Sequence, residues 1–172
     1  ARNKLARFLN APSPNEVVFT RNATHSINQV AHGLTWERGD VVLTTDREHN
    51  SNLVPWLQLE QEQGIDHRVV PSHPDNTFDM EAFEAACAEA GKNLKMVAMS
   101  HVGNLDGIEI PVAEVTKVAR DHDALVAIDG AQSTPHMNVD VQALDIDFLS
   151  FSIHKMCCLL YTSPSPRDST LS

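Results

Sequence analysis

The chain has 172 residues, 42% hydrophobic and 21% charged, with a formal net charge of −10. This is the composition of a soluble globular protein with enough chain for one sizeable core, and the negative balance argues against nucleic acid as a partner. No apolar run is long enough to span a bilayer, which argues against a membrane protein. Residues 1–10, ARNKLARFLN, have neither the apolar stretch of a signal peptide nor an initiator Met, so the sequence is expected to start inside a longer protein. Three cysteines, Cys87, Cys157 and Cys158, make an odd count with two adjacent. A disulfide framework is not expected, and a reducing cytoplasm is.

Apolar runs and helical patterns alternate along the chain. Strands are expected at 17–20, 41–45, 67–70, 96–100, 125–129 and 147–151, and helices at 3–9, 26–33, 52–63, 80–90 and 112–122. Gly33, Gly64 and Gly91 fall where helices should stop, and Pro111 suits a first helical position. Such alternation implies an α/β fold: a three-layer αβα arrangement with a mostly parallel sheet covered on both faces. Ligands bind such sheets beyond the carboxyl ends of the strands, here Thr20, Thr45, Ser100, Asp129 and Phe151. The pattern stops at residues 156–157. From Cys158 onward, CLLYTSPSPRDSTLS has no periodicity and is rich in Ser and Pro. It is expected to be a disordered, non-native tail (158–172) behind an incomplete domain (1–157).

The segments after the expected strand ends hold the residues with chemical potential. The most informative is DIDFLSFSIHK, an apolar run ending in Ser152, His154 and Lys155, because ALVAID upstream ends in Asp129. A lysine that can form an imine with an aldehyde, beside an acid that can keep a pyridine nitrogen protonated, is the pairing pyridoxal 5'-phosphate requires. Thr24, ahead of a helical pattern, and the backbone of His25 are placed for a phosphate at a helix N-terminus. Taken alone, Thr24 reads as an ordinary cap. His49 could stack on an aromatic ring, Asn104 and Gln132 could reach a ring hydroxyl, and Ser152 and His154 could reach phosphate. Singly, each has a plainer explanation as a loop, turn, cap or surface residue. Their convergence on roles for one cofactor favours the cofactor. No H-x-H or H-E-x-x-H spacing occurs, so no metal site is expected and a metal-dependent hydrolase is the weaker reading.

The motifs THSIN, EHNSNLVPW, HVGN followed by Gly107, DGAQS and SIHK resemble, in order and spacing, the class V aminotransferase family of fold-type-I pyridoxal phosphate enzymes. Within it they are most similar to the cysteine desulfurase and selenocysteine lyase group. The resemblance runs over residues 1–157. It implies that Lys155 is the imine lysine, Asp129 the partner of the pyridine nitrogen and His49 the ring-stacking residue. It further implies that Asn104 and Gln132 flank the ring hydroxyl, and that Thr24, His25 (through its backbone), Ser152 and His154 hold the phosphate. Three residues depart from the desulfurase pattern: His25 where Glu is often found, Asn50 where a second His is common, and Gly103 where Ser is common.

The function expected from the resemblance is a cysteine desulfurase that turns L-cysteine into L-alanine and a persulfide on the enzyme. It implies a homodimer passing sulfur to an acceptor protein, with a role in iron–sulfur cluster assembly or thiolation. The competing readings are a class V aminotransferase, a selenocysteine lyase, a kynureninase-like enzyme, or an inactive fragment. The family's nucleophilic cysteine and substrate-binding arginine fall beyond residue 157, and Cys87 reads as a small core residue.

Overall fold

Alternate side chains along each central strand feed two separate cores, and this organises the molecule. The computed structural model describes residues 1–156. In chain order these form α1 (Arg2–Phe8), α2 (Ala23–Gly33), β1 (Val41–Thr45), α3 (Asn50–Gln63), β2 (Asp66–Val70), α4 (Met80–Ala90), β3 (Leu94–Ser100), α5 (Val112–Asp121), β4 (Leu125–Asp129), α6 (Ser133–His136) and β5 (Phe148–Ser150). A short 3-10 turn, Ile153–Lys155, follows β5. The sheet order is β2-β1-β3-β4-β5, and every pairing is parallel.

Val41 and Leu43 of β1, Val97 and Met99 of β3, and Val126 and Ile128 of β4 face α4 and α5, meeting Phe83, Cys87, Val115 and Ala119. The intervening residues Val42, Met96, Ala98 and Ala127 face α2 and α3, meeting Ile27, Ala31, Trp56 and Leu59. This is the period of two of a pleated strand buried on both sides. The helices answer with their own period: Ala23, Ile27 and Ala31 on α2, and Phe83, Cys87 and Ala90 on α4. The three-layer αβα arrangement follows. Trp56 packs edge-on against Trp36 with ring centroids 6.0 Å apart, and the Trp36 indole N–H donates to the Ala31 carbonyl. Gly64 ends α3 in the left-handed region (φ 74°), a conformation that favours glycine. Burial pushes the Cys87 thiol up to about 12, so it is a packing group and not a reactive one.

One expected strand is corrected. Residues 17–20 are not part of the sheet. Val17 has the backbone angles of a strand, but a strand also needs a partner, and this segment pairs with no strand of the sheet; Val18 and Thr20 instead line a groove of about 300 Å³ together with β5 residues. Val18 and Phe19 are therefore 69% and 50% exposed. Thr20 is accordingly not a strand end, and β5 ends at Ser150, one residue before the expected Phe151. Two helices start earlier than periodicity implies, α2 at Ala23 and α3 at Asn50, because Asn22 and His49 cap them. The expected tail lies outside the described residues. Phe83 is fully buried against both β1 and β3 neighbours. Phe83→Ala is expected to lower stability by about 3–5 kcal/mol, measured as a drop in the urea midpoint at unchanged slope.

Candidate active site

The sheet's order reverses between β1 and β3, since the chain leaves β1 for β2 on one side and continues to β3 on the other. Loops at the carboxyl ends diverge at such a point and leave a crevice. A cavity of about 220 Å³ lies at these ends. Thr24 and Asn22 reach it from the N-terminus of α2, His49 and Ser51 from the start of α3, and Ser100 and Asn104 from the end of β3. Asp129 and Gln132 enter after β4, and Ser152, His154 and Lys155 after β5. Of the residues singled out from the sequence, only His25 does not line it. Its N–H donates to Asn22 Oδ1 at 2.9 Å, and its Nδ1 accepts from the Arg21 N–H.

Asp129 is 5% exposed, and its Oδ1 accepts the Ala131 N–H at 2.9 Å. Burial pushes its carboxyl up; the Ala131 N–H and the charges of Lys155 and His49 pull it back down. His49 caps α3: its Nδ1 accepts the Ser51 N–H at 3.1 Å. A backbone N–H can only donate, so whenever the ring is neutral its proton sits on Nε2, and the ring bears on Asp129 as a charge only when protonated. Ser51 in turn bonds Thr24 through their hydroxyls at 2.7 Å, tying the α3 cap to the α2 terminus. Ser152 accepts the Ala23 N–H at 2.8 Å, joining the end of β5 to the same terminus.

Sequence reasoning missed Asn22 and Ser100 as parts of this wall. Asn22 was legible as an N-cap, because an Asn three residues before a free N–H at a helix start is the usual signal. Ser100 was read as a strand end, a position that marks where a site begins, but was given no role of its own. The loop after β3 folds back through Gly103 N–H to the Ile108 carbonyl (2.9 Å), and Asp106 pairs with Arg47. A Cβ at position 103 would run into the Asp106 carboxylate, so Gly at this departure from the desulfurase pattern goes with the Arg47–Asp106 pair.

The donor set fits pyridoxal phosphate: a primary amine and a buried carboxylate in one cavity, an imidazole, and hydroxyls around the N-terminus of an eleven-residue helix. A buried carboxyl with a raised pKa also has a stability signature. The folded state holds the Asp129 proton more tightly than the unfolded chain, so its contribution to stability falls as pH rises from the ordinary carboxylate range through the raised folded value. Asp129→Asn removes that dependence. The stability of the wild type relative to the variant is expected to fall as pH rises above the ordinary carboxylate range, read from urea midpoints across a pH series.

The sequence model of the class-V aminotransferase family matches residues 1–159. The chain is 41% identical over 158 residues to a cysteine desulfurase of Salmonella newport (strain SL254), covering 90% of this chain and 38% of the relative. Among solved structures, a cysteine desulfurase of Escherichia coli superposes with a TM-score of 0.83 at 34% identity, over 90% of this chain and 39% of that one. The apo cysteine desulfurase of Thermococcus onnurineus NA1 gives 0.82 at 37%, over 90% and 38%. The cystine C-S lyase C-DES, solved with its product cysteine persulfide, gives 0.81 at 30%, over 90% and 41%. The chain thus spans about two fifths of its relatives' length, and with this fold and this sequence it belongs to the class-V aminotransferase family.

Proposed function

We propose that the protein is a pyridoxal phosphate-dependent cysteine desulfurase, and that these residues form part of its cofactor-binding domain. The observation that carries this reading is the convergence of Lys155, Asp129 and His49 on one cavity at the strand ends. It is supported by relatives that are cysteine desulfurases. Pyridoxal phosphate, when bound, supplies an aldehyde that condenses with amines and a ring that accepts the electron pair released at a substrate's α-carbon. In this reading Lys155 anchors the aldehyde through its Nζ, and the same amine later moves the proton at the substrate α-carbon. The Asp129 carboxylate holds a proton on the ring nitrogen, where burial strengthens the attraction between them. His49 would be the residue to stack on the ring, and the cap contact that holds its Nδ1 would fix the orientation of its imidazole.

Thr24, Ser152 and the α2 N-terminus receive the phosphate. Two of the N–H groups at that terminus are already taken up by Ser152 and Asn22, so the anion competes with protein caps there. Asn104, Gln132 and His154 complete the wall. The thiolate that takes up sulfur is not Cys87, which is fully buried behind the sheet. Cys157 and Cys158 lie outside the described residues. The same reading carries the expectations of a cytoplasmic homodimer, a sulfur-acceptor protein and a role in iron–sulfur cluster assembly. No helix among the described residues is long and apolar enough to cross a bilayer.

The test is product analysis of the complete protein with L-cysteine. One alanine per sulfur released supports the reading. A keto acid that retains the sulfur, in place of alanine, would indicate an aminotransferase. Inertness toward cysteine would point elsewhere: to a selenocysteine lyase if alanine forms from selenocysteine, and to a kynureninase-like enzyme if it forms from kynurenine. The complete protein is expected to be yellow and reducible by borohydride. Lys155→Ala should lose that chromophore while keeping its far-ultraviolet circular dichroism, and Asp129→Ala should keep the chromophore and lose most turnover. A Lys155→Ala variant with an unchanged absorption band would remove Lys155 from its role.

A further inference from the structure

Directly before His49 stands a charged residue that the mechanism does not use. Glu48 lies in the loop between β1 and α3; the residue is half-buried, with its carboxylate turned away from water and bonded from several elements. Its Oε1 accepts the Thr45 hydroxyl at 2.8 Å and the Ser100 N–H at 3.0 Å. Its Oε2 accepts the Asn52 amide at 2.8 Å and the Ser100 hydroxyl at 2.7 Å. Two donors on each oxygen fill the acceptor sites of an ionised carboxylate. The donors come from three elements: the end of β1, the end of β3 and the first turn of α3.

Burying a carboxylate is costly even when it is fully bonded, and burial pushes the Glu48 carboxyl up. Tying three elements together does not require a charge, since neutral groups do it at lower cost. The position of the charge is informative. Glu48 adjoins His49 in the chain, and the partner Asn52 donates its N–H to the His49 carbonyl at 2.8 Å. A third partner, Ser100, lines the cavity, and both its polar groups are drawn onto Glu48. Thr45 also accepts the Arg47 N–H, so the turn from β1 into α3 is held on both sides of Glu48.

We propose that Glu48 is a positioning residue: its four hydrogen bonds fix the turn that presents His49 to the cavity and hold Ser100 against the floor. This deepens the cofactor reading above and rests on it. The test uses the complete protein and reads cofactor affinity and the visible circular dichroism of bound pyridoxal phosphate, which reports ring orientation. Glu48→Gln keeps the shape but turns one acceptor oxygen into a donor. It is expected to fold, to weaken pyridoxal phosphate binding about tenfold, and to lose at least about half of the visible signal at saturation. Thr45→Val, which removes one donor and leaves the carboxylate, should shift both in the same direction by about two- to threefold. Combined with His49→Ala, Glu48→Gln should cost less than it does alone, since the part of its effect that passes through His49 is already lost while the part that passes through Ser100 remains.

A lowered melting temperature with unchanged affinity and visible signal would reduce Glu48 to a structural role and overturn the proposal, as would additivity with His49→Ala. Should Glu48→Gln not fold, Thr45→Val decides: unchanged affinity and signal in that variant overturn the positioning role. A wild-type protein that takes up no pyridoxal phosphate is a different failure. It overturns the proposed function, and the positioning role falls with it.

Discussion

A single rung of the sheet sets the geometry of the site. Ser100, Asp129 and Ser150 are register partners on three adjacent parallel strands, and all three are buried. Parallel pairing brings the strands' carboxyl ends to one level, so each loop beyond the rung starts from the same height. Two backbone bonds continue the ladder past it, from the His101 N–H to the Asp129 carbonyl and from the Gly130 N–H to the Ser150 carbonyl. The chain after Asp129 is tightly confined. A Cβ at Gly130 would lie 2.7 Å from Leu149 and 2.8 Å from the Thr134 hydroxyl, so a side chain there would displace β5 or the turn carrying Gln132.

Around this rung the protein tolerates two buried carboxylates whose pKa values burial raises in both cases. They are satisfied differently. Glu48 is saturated by neutral donors, while Asp129 accepts the Ala131 backbone N–H and lies near the charges of Lys155 and His49. The first arrangement leaves no acceptor capacity facing the cavity; the second leaves a carboxylate able to serve an added cationic group. This difference, more than burial itself, separates a residue that shapes the site from one equipped to act in it.

Much of this was legible in the chain. The central strands β1, β3 and β4 were readable because they are buried almost throughout, so each carries a core of consecutive apolar residues: 41–43, 96–99 and 125–128. The site residues were readable because parallel topology sends function to the segments after those runs. Residues 17–20 misled because VVFT has strand composition, and composition reports a conformation without supplying a hydrogen-bonding partner. The starts of α2 and α3 were set too late because capping by Asn22 and His49 is a side-chain event that apolar spacing does not register. The Glu48 network was hidden for a related reason. Its donors Thr45, Asn52 and Ser100 lie on separate elements, and only the folded register brings them to one carboxylate. His25 shows the reverse: a helix-start position suggested a free N–H, which Asn22 already occupies.

The short length of β5 has a further consequence. Among the described residues its three residues pair with β4 alone, and the turn holding Lys155 hangs directly from its end. Local opening should therefore be easiest on the lysine side of the cavity and hardest at the interior strand that carries Asp129. Any molecule gripping both residues staples β5 to β4, so occupancy of the cavity and integrity of that pairing become a single linked equilibrium.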